Sequence, residues 1–463
     1  MTKENPHSQA ATGTQRPGEA SIGLARIREA ARRDKTLRLT ALLHHVTPAA
    51  LEESYRALSP DAAPGVDEVT WREYGGGGGL AERLCALHAR VQSGTYKALP
   101  SKRIYIPKAD GRLRPIGIAA LEDKIVQHVV ARVMGAIWEV DFVGFSYGFR
   151  PRRSQHNALD ALYVAIDRGR VNWVLDADIK GFFDNLDHGW LMKFVAHRIG
   201  DERVLRLIGN WLRAGVAEDG EWSRTEKGTP QGAVISPLLA NIYLHYALDL
   251  WVQWWRKNKA RGEVYIVRYA DDFVMGFEHW EDAQSLLAQM RARMGKFGLE
   301  LHPEKTRLIE FGRFAAEDRR RRGEGKPETF DFLGFTHICG ITRNGKRFSL
   351  FRRTVAKRLQ AKAREVAETL GRMRHKSIAE MGTWLGSVLR GYYNYHAVHG
   401  NLLRLQGFRR LLARVWQATL RRRSQRGRKT TWEHMIVLME QWLPEPRILH
   451  PYPSQRLRVS HPR

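Results

Sequence analysis

Short apolar runs of strand length and longer stripes at helical spacing divide this chain, and their order sketches its fold. Val264-Tyr265-Ile266-Val267 and Phe273-Val274-Met275-Gly276-Phe277 are rich in β-branched and aromatic residues. They flank Tyr269-Ala270-Asp271-Asp272, so the pattern predicts a hairpin with two carboxylates at its tip. Val171-Asn172-Trp173-Val174-Leu175 predicts another strand, running into Asp176 and Asp178. From Arg103 to Ile118 apolar and basic residues alternate around Asp110-Gly111, which predicts a hairpin carrying cations. Helical spacing covers Leu121–Trp138, Pro237 towards Trp255, and Ala283–Phe297. After Thr354 it continues through Val355, Leu359, Val366, Leu370, Met381, Leu385 and Leu389. A basic helix is expected between Ile22 and Leu43, a turn at Pro64-Gly65-Val66-Asp67, and flexible chain at Gly75–Gly79. The polar stretch from residue 1 to about 20 is expected to be disordered.

Charge narrows the partners. Lys and Arg number 76 against 49 Asp and Glu, a formal +27 with pI near 10.4, which favours a polyanion. Nucleic acid is preferred over membrane, because no apolar run approaches the roughly 20 residues of a spanning helix. The N-terminus Met1-Thr2-Lys3-Glu4-Asn5-Pro6-His7 lacks the apolar core of a signal peptide, so a cytoplasmic protein is expected. Two cysteines, Cys85 and Cys339, exclude a disulfide framework and any zinc site of paired Cys-x-x-Cys type. Between Met381 and Trp432 no Asp or Glu occurs, whereas arginine recurs throughout, a one-sidedness that solubility alone does not require.

The candidate chemistry is acidic. Adjacent carboxylates at a turn repel one another unless a cation neutralises them, and hard oxygen donors suit magnesium or manganese. With Asp178 delivered by a second strand, the set could hold two ions about 3.5–4 Å apart, the clamp of an in-line phosphoryl displacement. Asp176 and Asp184 are acidic neighbours without an assigned metal role.

These residues resemble reverse transcriptases, specifically the reverse transcriptase/maturase proteins of bacterial group II introns. Tyr269-Ala270-Asp271-Asp272 is similar to the family's catalytic box, and Asp178 in Ala177-Asp178-Ile179-Lys180-Gly181-Phe182-Phe183-Asp184 to its first catalytic carboxylate. Gly228-Thr229-Pro230-Gln231-Gly232 with Ser236-Pro237-Leu238-Leu239-Ala240-Asn241 resembles the motif between them. The likeness runs from about Gly65 to the C-terminus. It implies an α+β right-hand polymerase. After a disordered or basic N-terminal tail (1–36) and an N-terminal extension (37–100), fingers and palm with antiparallel sheet span 101–345. A helical thumb or maturase domain (346–432) and a C-terminal cap (433–463) follow.

The resemblance also implies roles. Asp178, Asp271 and Asp272 are catalytic and, with Ile179, hold two magnesium or manganese ions. Lys108 and Arg114 close on the triphosphate, Phe183 is a steric gate against a 2′-hydroxyl, Gln231 contacts the nucleotide, and Lys305 lies near the leaving pyrophosphate. Phe330–Phe335 grips the primer terminus. Arg150, Arg152 and Arg153 in a basic, aromatic loop, and Arg409, Arg410, Arg421, Arg422 and Arg423 in the acid-free stretch, are expected on RNA. The expected partners are group II intron RNA, an RNA template with DNA primer, dNTPs and a DNA target. The family's endonuclease motifs of His, Asn and cysteine pairs are not found in the sequence, so second-strand nicking is not expected. Two other readings are a reverse transcriptase recruited to a role such as antiviral defence, and a non-catalytic RNA-binding splicing factor. The intact carboxylates argue against the latter.

Overall fold

The computed structural model describes residues 19–107, 113–218, 221–223, 227–229, 232–342, 345, 347–423, 425 and 427–460. The first 18 residues, Lys108 and Gln231 therefore lie outside the described residues. In chain order the strands are β1 (Ser101–Pro107), β2 (Leu113–Ile118), β3 (Trp173–Asp178), β4 (Val216–Glu218), β5 (Glu221–Ser223), β6 (Val264–Tyr269), β7 (Asp272–Phe277), β8 (Arg307–Glu310), β9 (Phe330–Phe332), β10 (Phe335–Ile341) and β11 (Phe348–Thr354).

The chain divides into two units. The first comprises Met1–Ile104, Pro115–Phe142 and Asp187–Ile242. Its longest helix, Leu121–Asp141, buries Ile125, Val126, Val129, Val130, Val133 and Ile137 along one stripe, as the spacing predicts. The sheet order is β2-β1-β4-β5, with β1 parallel to β4; the far end of the β1–β2 hairpin, Tyr105–Arg114, groups with the second unit. The basic helix is shorter than expected, Glu19–Arg33 rather than Ile22–Leu43. Asp34 explains the stop: its carboxylate accepts from the Thr36 amide at 2.7 Å and hydroxyl at 2.6 Å, turning the chain and freeing Leu39 to bridge Ile199.

The second unit comprises Tyr105–Arg114, Val143–Leu186 and Tyr243–Arg463. Its four-stranded sheet has the order β6-β7-β3-β8, antiparallel throughout. Helix Gln155–Arg168 packs Leu159, Leu162 and Ile166 into a core with Val174, Val267, Val274 and Phe311. Ser154 and Asn157 close a reciprocal cap at its start. A second sheet, β11-β10-β9, adds Phe330, Phe332, Phe335 and Leu350 to that core. Helices Ala356–Arg372, Ile378–His396, Leu402–Arg421 and Trp432–Trp442 share a separate core of Val366, Leu370, Leu385, Leu389, Phe408, Leu412, Trp416 and Met435. Each fully buried leucine there contributes about 1.5–3 kcal/mol of apolar burial. No helix among the described residues is long and apolar enough to cross a membrane.

Candidate active site

Strand register brings the acids together. β3 and β7 pair so that Asp178 lies directly opposite Asp272, and Tyr269 on β6 lies opposite Asp272 from the other side. Residues so opposed have Cα atoms about 4.5–5.5 Å apart. Asp271 sits at the tip between β6 and β7, following Ala270, whose φ of 58° turns the chain. Burial, then the charges of Asp176, Asp178 and Asp271, push the Asp272 carboxyl up to about 8. Burial and Asp178 also raise Asp271, while Arg114 and Arg268 oppose the shift. The cluster thus holds more negative charge than its surroundings favour.

Cations already approach it. Lys305 Nζ lies 2.5 Å from Asp178 Oδ2, and Arg307 Nη2 lies 3.3 Å from Asp176 Oδ2. The segment bearing Lys305 is docked on the end of β3, for the His302 amide donates to the Asp178 carbonyl at 2.8 Å and Leu301 bridges the buried Ile179. Among the described residues, no three His, Cys, Asp or Glu side chains are drawn tightly enough around one point to hold an ion. The donor chemistry nevertheless fits a divalent metal. Two opposed carboxylates, a third beside them and an ionised form that burial disfavours make an oxygen site that a hard cation relieves.

Beyond β3, Phe182 is buried and Phe183 only half-buried, so the first ring belongs to the core and the second reaches the surface. Gly181, at φ 54°, makes the tight turn that separates them from β3. Arg114 is exposed on β2.

The basic, aromatic loop 143–154 lies on the catalytic turn. Tyr147 donates its amide to the Arg268 carbonyl at 2.8 Å, and a Cβ on Gly148 would come within 2.2 Å of the Ala270 nitrogen. Arg150 is buried, and its Nη1 donates to the carbonyls of Val143 (2.8 Å) and Ser146 (2.9 Å), which ties the loop to itself. Arg153 donates to Ser146 at 3.0 Å and lies over the Tyr147 ring, whereas Arg152 is exposed. Arg409 is likewise engaged within the protein: its guanidinium caps the Trp432–Trp442 helix through the carbonyls of Met439 and Leu443 and pairs with Glu445 at 2.6 Å. Arg410, Arg421, Arg422 and Arg423 are exposed.

Two contacts had no signal in the spacing. Tyr395, from Gly391-Tyr392-Tyr393-Asn394-Tyr395-His396, donates its hydroxyl at 2.7 Å to the carbonyl of Leu333, the φ 46° residue in the turn between β9 and β10. Asp249 lies in a π-helical turn, His245–Asp249, and is completely buried against Arg268. The helical stripe that predicts this segment shows an aspartate but not the extra residue that turns it inward.

The family described as reverse transcriptase (RNA-dependent DNA polymerase) matches residues 106–337. Protein YkfC of Escherichia coli K12 is 35% identical over 373 residues, covering 73% of this chain and 92% of that protein. The group II intron-encoded protein LtrA of Lactococcus lactis subsp. cremoris is 31% identical over 305 residues, 53% of this chain and 51% of LtrA. An uncharacterized 91 kDa protein in the cob intron of Schizosaccharomyces pombe is 26% identical over 377 residues, 66% of this chain and 44% of its own length.

Proposed function

Because this chain belongs to the reverse transcriptase family of RNA-directed DNA polymerases, we propose that it binds its parent group II intron RNA, assists its splicing and copies it into DNA during insertion at a DNA target. The observation that carries the catalytic half is the register placing Asp178 opposite Asp272, with Asp271 at the adjoining tip. The intron half is supported by the likeness to an intron-encoded protein and by the exposed arginines of the acid-free stretch. Residues 101–345 are assigned to fingers and palm and 346–432 to thumb and maturase.

Asp178, Asp271 and Asp272, with the backbone at Ile179, would hold two magnesium ions, which when bound activate the primer hydroxyl and offset charge on the transferred phosphoryl. The remaining work falls to side chains. Arg114 and Lys108 neutralise triphosphate oxygens, and Gln231 orients the nucleotide. Phe183 presents its half-buried ring to the sugar and excludes a 2′-hydroxyl by bulk. Lys305, its Nζ 2.5 Å from Asp178 Oδ2, stabilises the departing pyrophosphate. The turn held by Tyr395 fixes β9 and β10, which orient the primer end.

Purified chain given an RNA template, a DNA primer, dNTPs and magnesium should extend the primer, and chelating the magnesium should stop it. Template binding without extension at any divalent-ion concentration would favour the non-catalytic RNA-binding reading.

A further inference from the structure

One charged side chain in the second unit is completely buried, lies two residues from the catalytic turn and bonds directly to it. Arg268 on β6 is 0% exposed, as is its partner Asp249. Its Nε donates to Asp249 Oδ1 at 2.7 Å and its Nη2 to Asp249 Oδ2 at 2.5 Å, a bidentate pair. Nη2 also donates to Ser146 Oγ at 2.7 Å, and Nη1 to the carbonyl of Ala270 at 2.8 Å. Burying such a pair in place of well-packed apolar residues seldom adds stability, so its value lies in the geometry it imposes.

We propose that Arg268, anchored by Asp249, is the positioning residue that sets the orientation of Asp271 and thereby the affinity of the acid cluster for divalent cations. The Ala270 carbonyl and the Asp271 amide belong to one rigid peptide plane, so a bond to that carbonyl fixes where the Asp271 side chain departs. Ala270 needs such a hold, because φ of 58° is strained for a residue with a Cβ. The fork geometry of arginine is what permits one side chain to bridge a carboxylate, a hydroxyl and a carbonyl at once. Asp249 reaches the interior through the π-turn His245–Asp249, a local departure from the α-helix of the kind found at functional sites. Backbone bonds complete the assembly: the Arg268 amide donates to the Phe145 carbonyl at 2.9 Å, so the loop carrying exposed Arg152 is registered on the same strand.

This inference rests on the polymerase reading for its consequence but not for its test. Full-length Arg268→Gln, Arg268→Lys and Asp249→Asn are compared with wild type in three measurements: thermal melting, Mn2+ affinity by electron paramagnetic resonance of the free ion, and single-turnover primer extension across a magnesium titration. Folded variants should bind Mn2+ about tenfold more weakly, as loss of a supporting partner typically does. They should extend about 100-fold more slowly at saturating dNTP, with primer-template affinity unchanged within about twofold. Arg268→Gln combined with Asp249→Asn should be no worse than either alone, because the two act as one unit. Should Arg268→Gln fail to fold, the near-isosteric Asp249→Asn carries the same expectation. Folded variants with wild-type Mn2+ affinity, or a rate loss matched by a loss of folded fraction, would reduce Arg268 to a packing role. Wild-type protein that binds Mn2+ yet extends nothing would overturn the polymerase reading, while a weaker Mn2+ affinity in the variants would still uphold the positioning role.

Discussion

Gly148→Ala is a one-carbon perturbation aimed at the catalytic turn. A Cβ built on Gly148 would lie 2.2 Å from the Ala270 nitrogen and 2.9 Å from the Tyr269 carbonyl carbon, whereas ordinary contact begins near 3.4 Å. Both obstacles are backbone, so no side chain can swing away, and the turn or the loop must move by on the order of 1 Å. Overpacking of this kind costs about 1–3 kcal/mol of stability. A displacement of that size at reacting groups lowers the rate about 100-fold. Gly144→Ala is the matched control, from the same loop but with nothing within 4 Å of its added Cβ. Single-turnover extension of a DNA primer on RNA, with melting followed in parallel, separates the two effects. Gly148→Ala should be folded and slow, and Gly144→Ala should match wild type. A folded Gly148→Ala protein at wild-type rate would refute the claim that this loop's backbone sets the position of the acids.

Other consequences are as direct. Phe183→Ala should admit ribonucleotides, lowering dNTP-over-rNTP discrimination about tenfold or more while DNA synthesis persists; an unchanged ratio would return the ring to the core. Replacing Arg421, Arg422 and Arg423 with Glu should weaken binding to the flanking intron RNA and reduce the slope of log affinity against log salt by about 2. The same affinity and slope would mean these side chains meet only water. His156 is stacked on His450 at 3.9 Å, and burial, then His450, lower it to about 4. Because an unfolded histidine takes a proton near 6.5, its stabilising contribution is full above that pH. It is lost as pH falls from 6.5 to about 4, by about 2 kcal/mol at pH 5. The stability gap between wild type and His156→Gln should shrink by that amount between pH 7.5 and pH 5, and a constant gap would show that His156 does not titrate with unfolding.

The strands bearing the acids were legible because each is a dense apolar run interrupted abruptly by aspartate, and the paired carboxylates have no apolar explanation. Helix Leu121–Asp141 was legible for the complementary reason, a continuous stripe at constant spacing. What resisted reading was the destination of buried charge. Arg150, Arg268 and Arg409 look in the sequence like any of their basic neighbours, yet their guanidiniums satisfy carbonyls and a carboxylate inside the protein. Net charge favours a polyanion as partner but does not sort the arginines that would meet it from those that shape the surface. Asp249 was hidden similarly, since a π-turn adds one residue to a helix without leaving a break in its apolar spacing. Asp34, by contrast, ended a helix through a local bond that its sequence, Asp34-Lys35-Thr36, permits but does not require.

The central claim is that the opposed carboxylates Asp178 and Asp272 on β3 and β7, together with Asp271 at the adjoining tip, perform RNA-templated DNA synthesis, and Asp271→Asn tests it with the smallest change in shape. The variant and wild type are given the same RNA template, DNA primer, dNTPs and magnesium, with RNA affinity measured alongside. Losing one carboxylate removes several kcal/mol of stabilisation from the transition state, at least about 1,000-fold in rate. Asp271→Asn should therefore bind RNA as wild type does and extend the primer negligibly, whereas extension at the wild-type rate would contradict the assignment of this site.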